Sequence, residues 1–299
     1  TEFNFRVLFS KPHKTNEVEC LAGAETPVPV DFEKHLLGLA PNHLSLHEWS
    51  MISLQEFCMR KHGHYTEIRI ENFYLVVYLQ KLESNPKVSY LHIKAPVIFR
   101  NSLPCEIEVS IIIDRKKHLD TLICVQGTKL SSHKTSGHSE TSIVVTLPNM
   151  KKSSMVPIIS RREKTPRFIN LQDFKKQGLQ LLLDYKNQGA HIFTFFVDLV
   201  VINNTQLPVS FSYRKRGASK TIPAQNFETK MLPCNSTKKM AVHLGSKKSQ
   251  YFKTGAVGAQ SLVSIESEKT PSGHKMLYEF VYEVYLAQAI KDELLFTKT

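Results

Sequence analysis

Short runs that alternate apolar and polar residues recur along the chain, and they restrict the fold more than any other feature. Between 105 and 113, Cys105, Ile107, Val109, Ile111 and Ile113 fall on one face, while Glu106, Glu108 and Ser110 fall on the other. Between 208 and 214, Val209, Phe211 and Tyr213 alternate with Ser210, Ser212 and Arg214. The same period appears in TEIRIEN (66–72), HIFTFFVDL (191–199) and LVSIES (262–267). A period of two puts successive side chains on opposite faces of a strand, and β-branched and aromatic residues suit that half-buried surface. Helical patterning is thin. Ser53-x-x-Glu56 predicts one short capped helix through Phe57 and Met59, and the stretch from Leu286 to Leu295 reads equally as helix or strand. The expectation is an all-β chain of tandem antiparallel β-sandwich modules of about 100 residues, with little helix.

A repeat sets the boundaries. APVIFRNSLPCEIEVSI (95–111) and DLVVINNTQLPVSFSYR (198–214) share one plan: an apolar strand, an asparagine, a Leu-Pro and a further alternating strand. Asn101 and Asn203 are 102 residues apart, about the length of one sandwich domain. One module is therefore expected over 95–195 and a second over 196–299. Residues 1–94 would form an earlier β-rich module that need not be complete. The asparagines are the candidate functional residues, supported by Leu103 and Pro104 in the first copy and by Thr205, Leu207 and Pro208 in the second. A short amide can bond its own backbone two residues on, tolerates the left-handed region, and can tie down a loop at a strand end. Structural duty and partner binding both remain open for it.

Asn203-Asn204-Thr205 is also a formal glycosylation sequon, as is Asn235-Ser236-Thr237. The cysteines decide between the readings. Cys20, Cys58, Cys105, Cys124 and Cys234 are odd in number, scattered, and form no CxxC pair. That suits free thiols in a reducing compartment better than a secreted disulfide framework, and it makes both sequons accidental. At 299 residues with 41% hydrophobic content, the chain can build two or three cores. The longest apolar stretch, Ile192 to Ile202, is interrupted by Thr194 and Asp198, too short for a membrane span. Absence of an initiator methionine and of a basic-then-apolar leader suggests a piece of a longer protein.

Charge is uneven. Residues 1–94 hold 10 Lys and Arg against 11 Asp and Glu, so 95–299 hold 29 against 16, a net of +13 within the overall +12. Such a balance favours anionic partners. The positive residues sit in short clusters at expected turns, and Arg115-Lys116-Lys117 and Arg214-Lys215-Arg216 are the candidate basic surface. Solvated turns are the plainer account of each cluster.

Catalytic patterns are missing or incomplete. Gly137-His138-Ser139-Glu140 lacks the second glycine of a nucleophile elbow, and Gly255 to Ser261 lacks the Gly-Lys-Ser/Thr of a phosphate loop. The densest metal candidate is His43, His47, Cys58, His62 and His64, whose irregular spacing and single cysteine fit surface histidines better than zinc. Glu266 and Glu268 lie on an expected exposed strand face, with nothing to make one an acid and the other a base. Basic residues meet aromatics only at Tyr213–Arg216 and Tyr251–Lys253, with no nucleic-acid-binding signature beside them. The residues thus imply no enzyme, no metal or other cofactor, and no nucleic-acid partner.

With the asparagine repeat in hand, the chain resembles the vacuolar protein sorting thirteen family of chorein-type bridge-like lipid transfer proteins, in the adaptor-binding region once called an SHR-binding domain. APVIFRNSLPCEIEV (95–109) is similar to the family strand ending in Asn-x-Leu-Pro, and SIVVTLPN (142–149) to its following Leu-Pro strand end. GLQLLLDYKNQ (178–188) leads into VVINNTQLPVSF (200–211), which resembles the Asn-x-Thr-x-Leu-Pro signature. YFKTGAVGAQSLVSI (251–265), LLFTKT (294–299), Pro27-Val28-Pro29-Val30 and Trp49-Ser50 also have family counterparts. One departure is Val197-Asp198-Leu199-Val200, where the family often carries Pro-Tyr-Trp, and it suggests a divergent, Golgi-associated branch. The resemblance implies repeated β-sandwich modules with a signature asparagine, for which Asn101 and Asn203 are the candidates. It also implies recruitment to Golgi or endosomal membranes from the cytoplasm, through adaptor proteins carrying short proline-containing motifs, with lipid handled elsewhere in the full protein. The rival expectation is a basic face that holds anionic phospholipid headgroups directly.

Overall fold

The computed structural model describes residues 5–11, 14–20, 36–41, 50–53, 65–70, 73–82 and 85–283, apart from 115–116, 161–163, 175–177, 188, 198, 216–217, 233–238, 255–259 and 270–274. Every regular element among the described residues is a strand. Strands β1–β4 (Phe5–Lys11, Lys14–Cys20, Leu36–Pro41 and Ser50–Ser53) form an antiparallel sheet in the order β2-β1-β3-β4. Strands β5–β7 (Tyr65–Ile70, Phe73–Leu82 and Asn85–Lys94) form an antiparallel meander. Ser53 ends a strand, and the remainder of its expected helix lies outside the described residues, as do the Leu286–Leu295 stretch and all five members of the histidine cluster.

Nine strands follow: β8 (Val97–Asn101), β9 (Ile107–Ile113), β10 (Lys117–Cys124), β11 (Lys129–Ser132), β12 (Thr141–Thr146), β13 (Val156–Ile159), β14 (Phe168–Gln172), β15 (Gly178–Asn187) and β16 (His191–Phe196). They make two facing sheets, β10-β9-β12-β13 and β11-β8-β16-β15-β14. The alternation explains the packing between them. Ile107, Val109 and Ile111 of β9 turn inward with Ile143 and Val145, and meet Phe99, Leu181, Phe193 and Phe195 from the opposite sheet in one core. The rings of Phe193 and Phe195 flank that of Phe99 at 5.8 and 6.0 Å. The other parity of β9 is not wholly solvated, because Ser110 is also buried and bonds the Thr121 hydroxyl at 3.2 Å.

One feature departs from a wholly antiparallel sandwich. β16 pairs with β8 in parallel, His191 opposite Val97 through Phe195 opposite Asn101. The first and last strands of the set thus lie side by side, and β8 is hydrogen-bonded on both edges, to β11 and to β16. Alternation reports which face a residue takes but not the direction of its partner, so sequence is blind to this pairing.

The plan then recurs with β17 (Leu199–Ile202), β18 (Val209–Lys215), β19 (Ala218–Ala224), β20 (Thr229–Leu232), β21 (Lys239–Leu244), β22 (Lys247–Lys248), β23 (Phe252–Lys253), β24 (Gln260–Lys269) and β25 (Lys275–Glu283). β17 pairs β20, β18 sits between β19 and β21, and β24 pairs β25. Val209, Phe211, Tyr213, Met240, Val242 and Ile265 form its core, with Leu199 and Val201 packed against them. In β24 the inward parity is Val263 and Ile265, which leaves Leu262 exposed, while Glu266 stands in solvent.

The meander docks on the first sandwich through polar contacts. Glu67 accepts from the Ser136 hydroxyl at 2.5 Å and from Gly137 N–H at 2.6 Å, while Tyr74 N–H donates to the His133 carbonyl at 2.6 Å. Gly137 keeps this approach close: a Cβ would sit 3.1 Å from both the Glu67 carboxylate and the His191 ring, so those side chains would have to shift by a few tenths of an ångström.

Candidate functional site

Asn101 is the last residue of β8, and its side chain is buried at 1% exposure. Its amide nitrogen donates to the carbonyls of Cys105 and Cys124, both at 2.8 Å, and its amide oxygen accepts from Leu103 N–H at 2.9 Å. Its backbone N–H reaches the Thr128 carbonyl at 2.9 Å. One short side chain therefore joins the end of β8, the loop 102–106 and the turn between β10 and β11. Both N–H donors of the amide and its oxygen therefore have a backbone partner.

Asn203 repeats the arrangement. It is 2% exposed, and its amide nitrogen donates to Leu207 O at 2.9 Å, to Ala224 O at 3.3 Å and to Gln225 O at 2.8 Å. Thr205 N–H donates to its amide oxygen at 3.1 Å, and its backbone N–H donates to Glu228 O at 2.9 Å. Thr205 adds a relay: its hydroxyl lies 2.8 Å from the Asn203 amide oxygen and accepts Leu207 N–H at 3.2 Å. The nitrogen that a glycan would need is thus enclosed by three carbonyls in the folded chain.

The two Leu-Pro pairs are not equivalent, although the shared plan suggests they should be. Both loops run from the asparagine to a strand that begins six residues later, at Ile107 and Val209. Within that fixed length, Leu103 stands two residues after its asparagine and Leu207 four after its own. Leu103 enters the core fully buried, whereas Leu207 is 37% exposed and supplies a carbonyl to the amide, as Cys105 does in the first copy. Pro104 is half-buried and Pro208 exposed.

The turns that face the asparagines also correspond. Gly127 holds φ of 72° between β10 and β11. Phe227, the matching residue between β19 and β20, holds φ of 57° with its ring 66% exposed. Glycine adopts the left-handed region without penalty, while a bulky residue there is strained. Beside it Glu228 accepts from Gln225 N–H at 2.7 Å and pairs with Lys230, and that lysine's hydrogen bond holds the Glu228 carboxyl below the ordinary carboxylate range.

A second duplicated device escaped the sequence reading. Buried Ser153 accepts Val145 N–H at 2.9 Å, donates to Ser154 O at 2.7 Å, and returns its own N–H to Val145 O at 2.8 Å. Ser249 does the same, with Val242 N–H at 3.0 Å, Gln250 O at 2.8 Å and a return bond of 2.9 Å. Each serine follows an exposed lysine pair, Lys151-Lys152 and Lys247-Lys248. The repeated Lys-Lys-Ser is the signal that could have located both.

Registers put these parts together. Val209 lies opposite Ala224, and Ser210 opposite His243, so the Asn203 loop, the Phe227 turn and the Lys247-Lys248 segment share one end of the second strand set. Of the basic clusters predicted from sequence, only Arg214 and Lys215 are placed in this strand set, where they close β18 at the other end. Lys117 is exposed at the start of β10, Arg115, Lys116 and Arg216 lie outside the described residues, and Arg214 and Lys215 belong to β18 with side chains not described. Cys105 and Cys124 are free, and burial pushes both thiols up. No group of His, Cys, Asp and Glu able to hold a metal occurs among the described residues.

One edge differs between the repeats. β8 is bonded on both sides, but β17 is bonded among the described residues to β20 alone. Asn203 sends its N–H toward β20, so the alternation of a strand points the Val200 and Ile202 N–H groups the other way. In the first sandwich that direction leads to β16, where Ser102 N–H meets Phe195 O at 2.9 Å.

Residues 1–268 match the family model for the vacuolar-sorting associated protein 13, adaptor binding domain. No curated protein matches the chain.

Proposed function

The chain belongs to the family of the vacuolar-sorting associated protein 13 adaptor binding domain, and from that membership we propose that it reads short proline-containing adaptor motifs along the outer edge of β17. The domain is a protein-interaction module, and in this reading it acts without catalysis, recruiting a bridge-like lipid transfer protein to organelle membranes of the Golgi or endosomes. Lipid is carried by other parts of that protein. The observation that carries the reading is β17, which among the described residues is bonded along one edge alone and is seated directly before the buried Asn203 hub. An extended peptide laid on this edge would take the outward N–H groups of Val200 and Ile202, with side-chain contacts choosing the sequence.

Proline at every second position fits such an edge for a simple reason. In a strand, residues i and i+2 send their N–H groups to the same side. Two prolines spaced by one residue therefore place both missing donors away from β17, while the residue between them keeps the N–H that faces it. Such a peptide also begins near its bound extended shape and loses less entropy on docking.

Fluorescence anisotropy of labelled Pro-x-Pro peptides tests this, at low and high salt and with Val200→Pro as the control. That substitution removes an outward donor and leaves the β20 side of β17 intact. Saturable binding that survives high salt and is lost in Val200→Pro is the expected result. Binding that is unchanged by the substitution would refute the edge. Binding that vanishes in salt would mean that the peptide meets a basic face rather than the strand edge.

A further inference from the structure

The Asn203 end of the second strand set carries a feature that peptide reading does not use. Three segments meet there: 203–208, the turn 225–228 and 245–248. Two contribute exposed apolar groups and the third contributes basic ones. Leu207 and Phe227 hold 37% and 66% of their surface open at the tips of their loops, and Ile202 at the end of β17 is 45% exposed. Lys247 and Lys248 are exposed on the third segment, where the Lys248 ammonium lies 3.9 Å above the Tyr251 ring and donates to its hydroxyl at 2.6 Å. Glu228 is the sole acid in these three segments, and Lys230 neutralises it.

Phe227 gives the sharpest indication. The first repeat fills the same turn position with Gly127, which takes φ of 72° freely, whereas Phe227 holds a strained left-handed φ of 57° while keeping 66% of its surface open. A bulky aromatic kept at the tip of a rigid turn, against its backbone preference, is suited to contact with something outside the chain. The apolar groups project from loop tips at the end of a sandwich, a shape that enters a yielding surface more readily than it encloses a peptide. Aromatic rings combined with lysines match the interfacial zone of a bilayer, where the ring sits among headgroups and acyl chains and ammonium groups meet anionic lipid.

We infer that this end of the second strand set docks directly on an anionic phospholipid bilayer, with Phe227 and Leu207 entering the interface and Lys247 and Lys248 on the headgroups. The contact is independent of the β17 edge: it uses loop tips rather than strand donors, and a lipid rather than a peptide. It supplies a second attachment, so that an adaptor motif and the membrane carrying the adaptor are engaged together and their affinities reinforce one another.

Flotation of the full 299-residue chain with vesicles of phosphatidylcholine, with and without 30 mol% phosphatidylserine, tests the inference. Binding is expected only with phosphatidylserine. Phe227→Gly should weaken it about fivefold, and Lys247→Glu with Lys248→Glu about tenfold, on the scale of one buried aromatic and two reversed charges. Phe227→Gly carries its own folding control, because glycine relieves the strained turn and the melting temperature should hold or rise. Absence of flotation at low salt, or flotation that responds to the lysines but not to Phe227, would overturn the inference.

Discussion

Replacing Asn101 tests the hub most severely, and two substitutions separate its parts. Asn101→Ala removes the partner of three buried backbone groups: the Leu103 N–H at 2.9 Å and the Cys105 and Cys124 carbonyls at 2.8 Å each. At about 1–3 kcal/mol for each buried group left unsatisfied, and allowing the carbonyls some relief from entering water, the expected loss is about 3–5 kcal/mol. Asn101→Asp keeps the size and the acceptor for Leu103, but turns an oxygen toward both carbonyls. Ionised, it meets repulsion; protonated, its single O–H satisfies one of them. The folded state therefore raises this carboxyl above the ordinary value of about 3.9. A raised acid contributes least when ionised, so the deficit of Asn101→Asp should shrink as pH falls toward 4, while that of Asn101→Ala should not change with pH. Melting temperature against pH, with amide exchange at Leu103 as the local probe, reads both. Equal, pH-independent losses for the two variants, or a loss below about 1 kcal/mol for Asn101→Ala, would refute the hub as the organiser of this end.

Ser153→Ala leaves Val145 N–H without a partner and should cost about 1–2 kcal/mol, with Ser249→Ala costing a similar amount at Val242; urea titration measures both. Burial holds His133 and His191 below their ordinary imidazole value of 6.5, so their contribution to stability is complete above pH 6.5 and is lost as pH falls below it. Amide exchange in β5–β7 should rise first on acidification, because both rings lie where the meander meets the first sandwich. Glu67→Gln should have a similar effect at neutral pH, since the neutral amide replaces a carboxylate that accepts both the Ser136 hydroxyl and the Gly137 N–H; limited proteolysis between the meander and β8 reports it.

The sequence by itself determined the elements whose causes are local. Period-two alternation marks Ile107, Val109 and Ile111, and Val209, Phe211 and Tyr213, as inward residues, because a strand sends every second side chain to the same face. The 102-residue spacing brought Asn101 and Asn203 forward, because an asparagine at a strand end bonds the backbone two residues on, whatever surrounds it. Everything that depends on a distant partner was decided by the tertiary structure. The parallel pairing of β8 with β16 joins residues 94 apart, and Glu67 meets Ser136 across 69 positions. The Leu-Pro pairs looked equivalent as letters, yet burial sent Leu103 into the core and left Leu207 at the surface, because the loop length from asparagine to strand is fixed and the pair is shifted within it. Ser153 and Ser249 lie 52 and 46 residues beyond their asparagines, so no constant spacing reveals them; the shared Lys-Lys-Ser is their local sign, and only the backbone groups they face show what it does. The one-sided pairing of β17 among the described residues belongs to the same class, since a strand's letters state which residues it contains, while its neighbours alone state how it is hydrogen-bonded.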